Sequence, residues 1–119
     1  MFQNKYKGKT VLVTGHTGFK GSWLVTWLLK LGAKVVGISK DIPTNPSMFE
    51  SLNIENNILH YTFDIRDLKE LKKIISRHKP DFLFHLAAQA IVSKSYFDPE
   101  ETVTTNVIGT MNVLEALRF

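Results

Sequence analysis

Cysteine is absent from the chain. That excludes disulfides, thiolate metal sites and a cysteine nucleophile. The four histidines, His16, His60, His78 and His85, are scattered, with no two at the spacing metal ligands need, so no metal is expected. Long apolar runs are missing as well. The longest nearly apolar stretch, Trp23 to Leu29, falls far short of the ~20 residues that cross a bilayer. The polar, basic N-terminus has no apolar segment behind it, unlike a secretory leader. The expectation is a cytoplasmic chain with no membrane partner. Acidic residues are in deficit, 11 against 15 basic, for a net charge of +4. That excess suits an anionic small ligand as well as it suits nucleic acid. Because Lys69, Lys72 and Lys73 fall on the wet face of a helix pattern, no nucleic-acid partner is expected.

What is present is enough apolar material for one core: 44% of 119 residues are hydrophobic, so one small domain is expected over residues 1–119. Thr10–Thr14 is a short β-branched run that stops at glycine, as a buried parallel strand does. Trp23, Leu24, Trp27, Leu28 and Leu31 are spaced as in a helix, which Gly32 ends. Both tryptophans are expected in the core. Lys34–Ile38 reads as the second strand, and Asp41–Glu50, with Pro43 and Pro46, as a loop. Leu59–Phe63 is the third strand. Asp67 and Glu70 make a capping box ahead of Leu68, Leu71, Ile74 and Ile75. Asp81–Ala87 is the fourth strand. Asp98, Pro99 and Glu101 then start a helix carrying Val103, Val107, Thr110, Leu114 and Leu117. Strands alternating with helices imply an α/β fold: the N-terminal half of a Rossmann-type doubly wound parallel sheet, with about four strands and three helices.

Gly15, His16, Thr17, Gly18, Phe19, Lys20 and Gly21 join the first strand to the first helix. Gly15 permits a tight turn, Gly18 lets the backbone approach phosphates, and Gly21 allows close helix–strand packing. A helix mouth there offers unpaired N–H groups to a pyrophosphate. The strand–loop–helix setting gives the three glycines their weight. His16 would touch the pyrophosphate or lie in solvent. At the end of the second strand stand Ser39, Lys40 and Asp41. A serine and a lysine could accept a 2′-phosphate, while Asp41 could reach a ribose, so NAD is expected with NADP left open. Asp64 and Ile65 follow the third strand, where an adenine would lie. Leu86, Ala87, Ala88 and Gln89 end the fourth strand, where small residues let a ribose and nicotinamide pass over the backbone. His85, inside that strand, reads as a satisfied core histidine.

The segments TGHTGFKGSWL, PTNPSMFE, FHLAAQAIVSKSY and TNVIGT together resemble the nucleotide-sugar dehydratases of the extended short-chain dehydrogenase/reductase family. The resemblance runs over nearly the whole chain. It implies that the residues from Gly15 to Gly21 hold a pyrophosphate, that Asp64–Ile65 meet the adenine, and that Leu86–Gln89 line the nicotinamide side. Thr105–Asn106 would lie on the helix behind the site, and Ser95 and Tyr96 near the sugar. It further implies a bound NAD that takes a hydride from sugar C4 and returns it at C6 as water leaves across C5–C6. The family's catalytic Tyr-x-x-x-Lys pair has no counterpart in the chain, because Tyr96 is followed four residues on by Glu100. No catalytic residue is therefore expected within 1–119, and these residues alone should be inactive. A nucleotide-sugar substrate and a homodimer belong to the family pattern, with Ile108, Met111 and Leu117 as interface candidates. In a strand order 3-2-1-4 the apolar fourth strand, carrying Phe82, Leu83, Phe84 and Leu86, would form an exposed edge that invites self-association. An epimerase or reductase of the same family, and a dinucleotide-binding module without turnover, remain as other readings.

Overall fold

The computed structural model describes residues 1–118. Four parallel strands, β1 (Thr10–Thr14), β2 (Lys34–Ser39), β3 (Leu59–Thr62) and β4 (Phe82–His85), form one sheet in the order β3-β2-β1-β4. The register sets Leu12 opposite Val36 on one side and Leu83 on the other. Because side chains alternate across a strand, this register sends two apolar sets to opposite faces. Val11, Val13 and Val35 meet Val25 and Leu28 of helix α1 (Phe19–Lys30), with Phe49 and Ile54 beside them. Leu12, Val36 and Ile38 meet Leu71, Ile74 and Ile75 of α3 (Leu68–His78), together with Val113 and Ala116. The sheet is covered on both faces, which is the doubly wound arrangement its alternating sequence required.

Local signals set most boundaries. Asp67 accepts the Glu70 amide at 3.1 Å to cap α3, and Asp98 accepts the Glu101 amide at 3.0 Å with Pro99 in the first turn. The stretch expected to be loop throughout, Asp41–Glu50, closes on a short helix α2 (Met48–Ser51). Ser47 accepts the Glu50 amide at 3.1 Å and donates to the Glu50 carboxylate at 3.2 Å, an N-cap at the end of a proline-rich stretch. A second unexpected helix, α4 (Val92–Phe97), precedes the final helical segment. That segment is not uniform. α5 (Pro99–Val103) passes through a π-helical turn, Thr104–Ile108, into α6 (Gly109–Leu117).

Trp23 and Trp27 correct the sequence expectation most clearly. They are 57% and 48% exposed, while Ser22, Val25 and Leu28 are the residues that α1 turns inward. The apolar spacing was helical, but it contained two apolar faces, and β-branched Val25 with Leu28 fits the sheet more closely than two indoles. β4, the last strand in the order, stands at the sheet edge.

Candidate functional site at the carboxyl edge

Gly15 adopts φ +77°, a conformation side chains disfavour, and a Cβ there would strike the backbone of Leu86 and Ala87 at 2.7–2.9 Å. The tips of β1 and β4 therefore touch through bare backbone. A Cβ on Gly21 would collide with the Gly15 carbonyl oxygen and lie 2.8 Å from the His16 Cα. Gly18 is different, since a Cβ there would meet only the Gly15 oxygen at 3.4 Å and otherwise point into open space. Two glycines are fixed by packing and one faces outward. Gly18 is also the N-cap of α1, and no side chain caps that end. The first-turn amides beyond it, at Phe19 and Lys20, have no side-chain cap, and the positive end of the helix dipole lies at them. Those features fit an anion.

The wall under the loop is hydroxyl-lined. The Thr17 and Ser39 hydroxyls stand 2.6 Å apart and both donate toward the Asp41 carbonyl, at 2.6 and 2.9 Å. Lys40 reaches across to Glu101 at 3.0 Å, and Lys94 meets the other oxygen of the same carboxylate at 2.9 Å. Hydrogen bonds from Lys94 and Lys40 hold the Glu101 carboxyl below its ordinary value, and the Glu101 bond raises Lys40. The Asp64 carboxylate accepts the Arg66 amide at 2.9 Å and its guanidinium at 2.8 and 3.1 Å. Burial pushes that carboxyl up, but the Arg66 bonds outweigh it and the net direction is down. Ile65 is buried against Gly109, where its side chain fills the space a Cβ would need.

His16 departs from both expectations for it. Its ring is fully buried, packed on Gly37 of β2 and on Phe49, with Nε2 at 2.6 Å from His60 Nδ1. Only its backbone lines the loop. Burial first, and the neighbouring His60 second, lower its pKa to about 4. The ring is neutral at pH 7. Its Nδ1 is buried without a hydrogen-bond partner. His85 is the satisfied histidine its strand position suggested. Nδ1 lies 2.6 Å from Thr14 Oγ1 and Nε2 3.1 Å from Thr110 Oγ1, and burial lowers its pKa.

Thr14 is the hub that the sequence did not disclose. Its hydroxyl oxygen also accepts the amides of Leu86 and Ala87 at 3.1 and 3.2 Å, which fixes the tip of β4 against the tip of β1. Asn106 fixes the next residues. Its Oδ1 accepts the Gln89 amide at 2.8 Å and its Nδ2 donates to the Gln89 carbonyl at 3.1 Å. Asn106 sits in the π-helical turn, and the Thr105 hydroxyl beside it is buried without a partner. Leu86, Ala87, Ala88 and Gln89 therefore form a pinned, small-residue rail beside the glycine loop. Ser95 and Tyr96 lie on α4, with Tyr96 exposed and the Ser95 hydroxyl donating to the Val92 carbonyl at 2.6 Å. Among the described residues no group of three His, Asp or Glu side chains could hold a metal, and no helix is long and apolar enough to cross a membrane.

A model of the GDP-mannose 4,6 dehydratase family matches residues 12–119. The chain is 47% identical to the CDP-glucose 4,6-dehydratase of Salmonella typhimurium over 98% of its own length and 32% of the relative's. It is 35% identical to a GDP-mannose 4,6-dehydratase of Vibrio cholerae serotype O1, covering 93% of this chain and 31% of that one. Among solved structures, the Thermus thermophilus UDP-glucose 4-epimerase in complex with NAD superposes with a TM-score of 0.81 at 33% identity, over 92% of this chain and 33% of that one. The Thermotoga maritima UDP-glucose 4-epimerase, crystallised with UDP-glucose, gives a TM-score of 0.79 at 36% identity, over 90% and 33%. The chain thus spans about a third of the relatives it matches. Glycine loop, pinned strand tip and sequence similarity agree that it belongs to the GDP-mannose 4,6-dehydratase family, whose members act on nucleotide sugars.

Proposed function

We propose that the chain is the dinucleotide-binding portion of a CDP-glucose 4,6-dehydratase, which converts CDP-glucose to CDP-4-keto-6-deoxyglucose and water. The observation that carries this reading is the asymmetry of the three glycines: Gly15 and Gly21 are closed by packing, while a Cβ on Gly18 would meet little but open space at an uncapped helix end. The substrate assignment rests on the 47% identity to the Salmonella enzyme.

In this reading the backbone from Gly15 to Gly21 holds the pyrophosphate, and Asp64 with the Ile65 backbone meets the adenine. Leu86–Gln89 carry the nicotinamide ribose, held at their height by Thr14 and Asn106. When bound, the nicotinamide supplies a reversible hydride acceptor. NAD is favoured over NADP because the two groups suited to a 2′-phosphate are engaged. The Ser39 hydroxyl is spent on Thr17 and Asp41, and the Lys40 ammonium on Glu101. Ser95 and Tyr96 border the sugar, and the exposed Ile108, Met111 and Leu117 serve a homodimer. Residues 1–119 carry no acid–base pair for the chemistry and do not turn over CDP-glucose alone.

Calorimetric titration with NAD, NADP and CDP-glucose tests the reading. NAD should bind more tightly than NADP, since a 2′-phosphate would have to draw Lys40 away from Glu101. Equal affinity would overturn the cofactor assignment, and turnover of CDP-glucose would overturn the inactivity.

A further inference from the structure

The exposed tryptophans point to a second surface, on the opposite side of α1 from its core contacts. A helix advances about 100° per residue. On that wheel Phe19, Trp23, Trp27, Lys20 and Lys30 fall within one arc, facing away from the buried Gly21, Val25 and Leu28. Phe19 is 71% exposed, and the two tryptophans, the only ones in the chain, are each about half exposed. Phe2 continues the ridge, with its ring 5.6 Å from that of Trp27, and Met1 lies exposed beyond it. Lys7 and Lys30 meet across a depression of about 330 Å³ at the C-terminal end of the helix.

The charge around this ridge has one sign. Residues 1–40 contain Lys5, Lys7, Lys9, Lys20, Lys30, Lys34 and Lys40, and no Asp or Glu at all. Of these, only Lys40 forms an ion pair within the described residues. The cations Lys5, Lys7, Lys20 and Lys30 are exposed.

We propose that the outward face of α1, with the N-terminal Met1–Lys7 segment, docks on the surface of an anionic lipid bilayer. Charge complementarity selects the occupant. A second copy would bring the same lysines against these, so a symmetric contact repels. Nucleic acid is read chiefly by arginine forks, yet every cation in residues 1–40 is lysine, and the rings form a ridge rather than a cleft for bases. Indole rings with flanking lysines are instead the composition of an interfacial helix face, the rings at headgroup depth and the ammonium groups over lipid phosphate. The proposal stands apart from the cofactor assignment, since it uses the outer face of α1 and not the loop backbone.

Both tryptophans lie on the proposed face, so their emission reports the contact directly. The whole chain is mixed with phosphatidylcholine vesicles, alone or with phosphatidylglycerol. A blue shift with brominated-lipid quenching is expected on the anionic vesicles only, and it should vanish at 1 M salt, where screening is near 3 Å. A Lys5→Gln/Lys30→Gln variant, changed only at exposed positions, should bind about 25-fold more weakly, from about 1 kcal/mol per lysine at the surface. No shift on anionic vesicles, or an equal shift on neutral ones, overturns the proposal. So does an emission already blue in a sedimenting dimer, which would place a second copy on the ridge, or an equal response to duplex DNA.

Discussion

Gly21 and Gly18 stand three residues apart and should respond oppositely to a single methyl group. An alanine at position 21 places its Cβ into the Gly15 carbonyl oxygen, 2.8 Å from His16 Cα and 2.9 Å from the Gly15 carbonyl carbon. All three obstacles are backbone atoms, so no side chain can rotate away. Overpacking of this kind costs about 3 kcal/mol, the upper end of its usual range. Alanine returns about 1 kcal/mol of helix propensity at this third residue of α1. The net loss is about 2 kcal/mol. With an m-value near 1.5 kcal/mol/M, Gly21→Ala should lower the urea midpoint by about 1 M at unchanged slope. Gly18→Ala meets one atom at 3.4 Å from an ordinary φ of −74°, and loses at most about 1 kcal/mol as a weaker N-cap. A Gly21→Ala chain as stable as the wild type would refute the packing assignment of the loop.

Acid should destabilise the chain before carboxylates titrate. His16 is neutral and buried when folded, with its pKa lowered from 6.5 to about 4, whereas the unfolded ring takes a proton near 6.5. The unfolded state therefore binds more protons between these values, and stability falls as pH drops from 6.5 to 4, by about 3 kcal/mol in all. His85 and His78, both lowered chiefly by burial, act in the same direction. Urea midpoints measured across this range should show the decline, and a rise on acidification would contradict it. Asn106→Ala strips both Gln89 bonds from the β4 tip and should cost about 2 kcal/mol by urea melting, while Asn106→Asp keeps the acceptor and should cost less. Sedimentation at high concentration should show self-association through the β4 edge or the exposed Ile108, Met111 and Leu117, and a clean monomer would count against it.

The parallel sheet was readable because β1 and β4 are short apolar runs punctuated by glycine and proline, and because Asp67 and Asp98 cap in the pattern their sequence announces. α2 was readable too, in the Ser47-x-x-Glu50 pair, but the prolines before it dominated the local impression. The tryptophans misled because periodicity reports that a helix has an apolar face, not which of two faces meets the sheet. Long-range pairs escaped altogether. No local pattern ties Thr14 to His85, His16 to His60, or Lys40 to Glu101, since each joins residues more than forty positions apart. One signal was available for His16. Gly37 sits inside a strand, where a missing side chain marks close approach, and the histidine ring occupies that space.

The central claim is that bare amides after Gly18 receive the phosphates of a dinucleotide. Amide chemical shifts of the labelled chain during titration with NAD test it most directly, beside Gly18→Ala as a folded control. The expected result is movement concentrated at Gly15–Gly21, Ser39–Asp41, Asp64–Ile65 and Leu86–Gln89, much reduced in the variant. A folded wild-type chain whose loop amides stay unmoved by millimolar NAD, or move equally in Gly18→Ala, would contradict it.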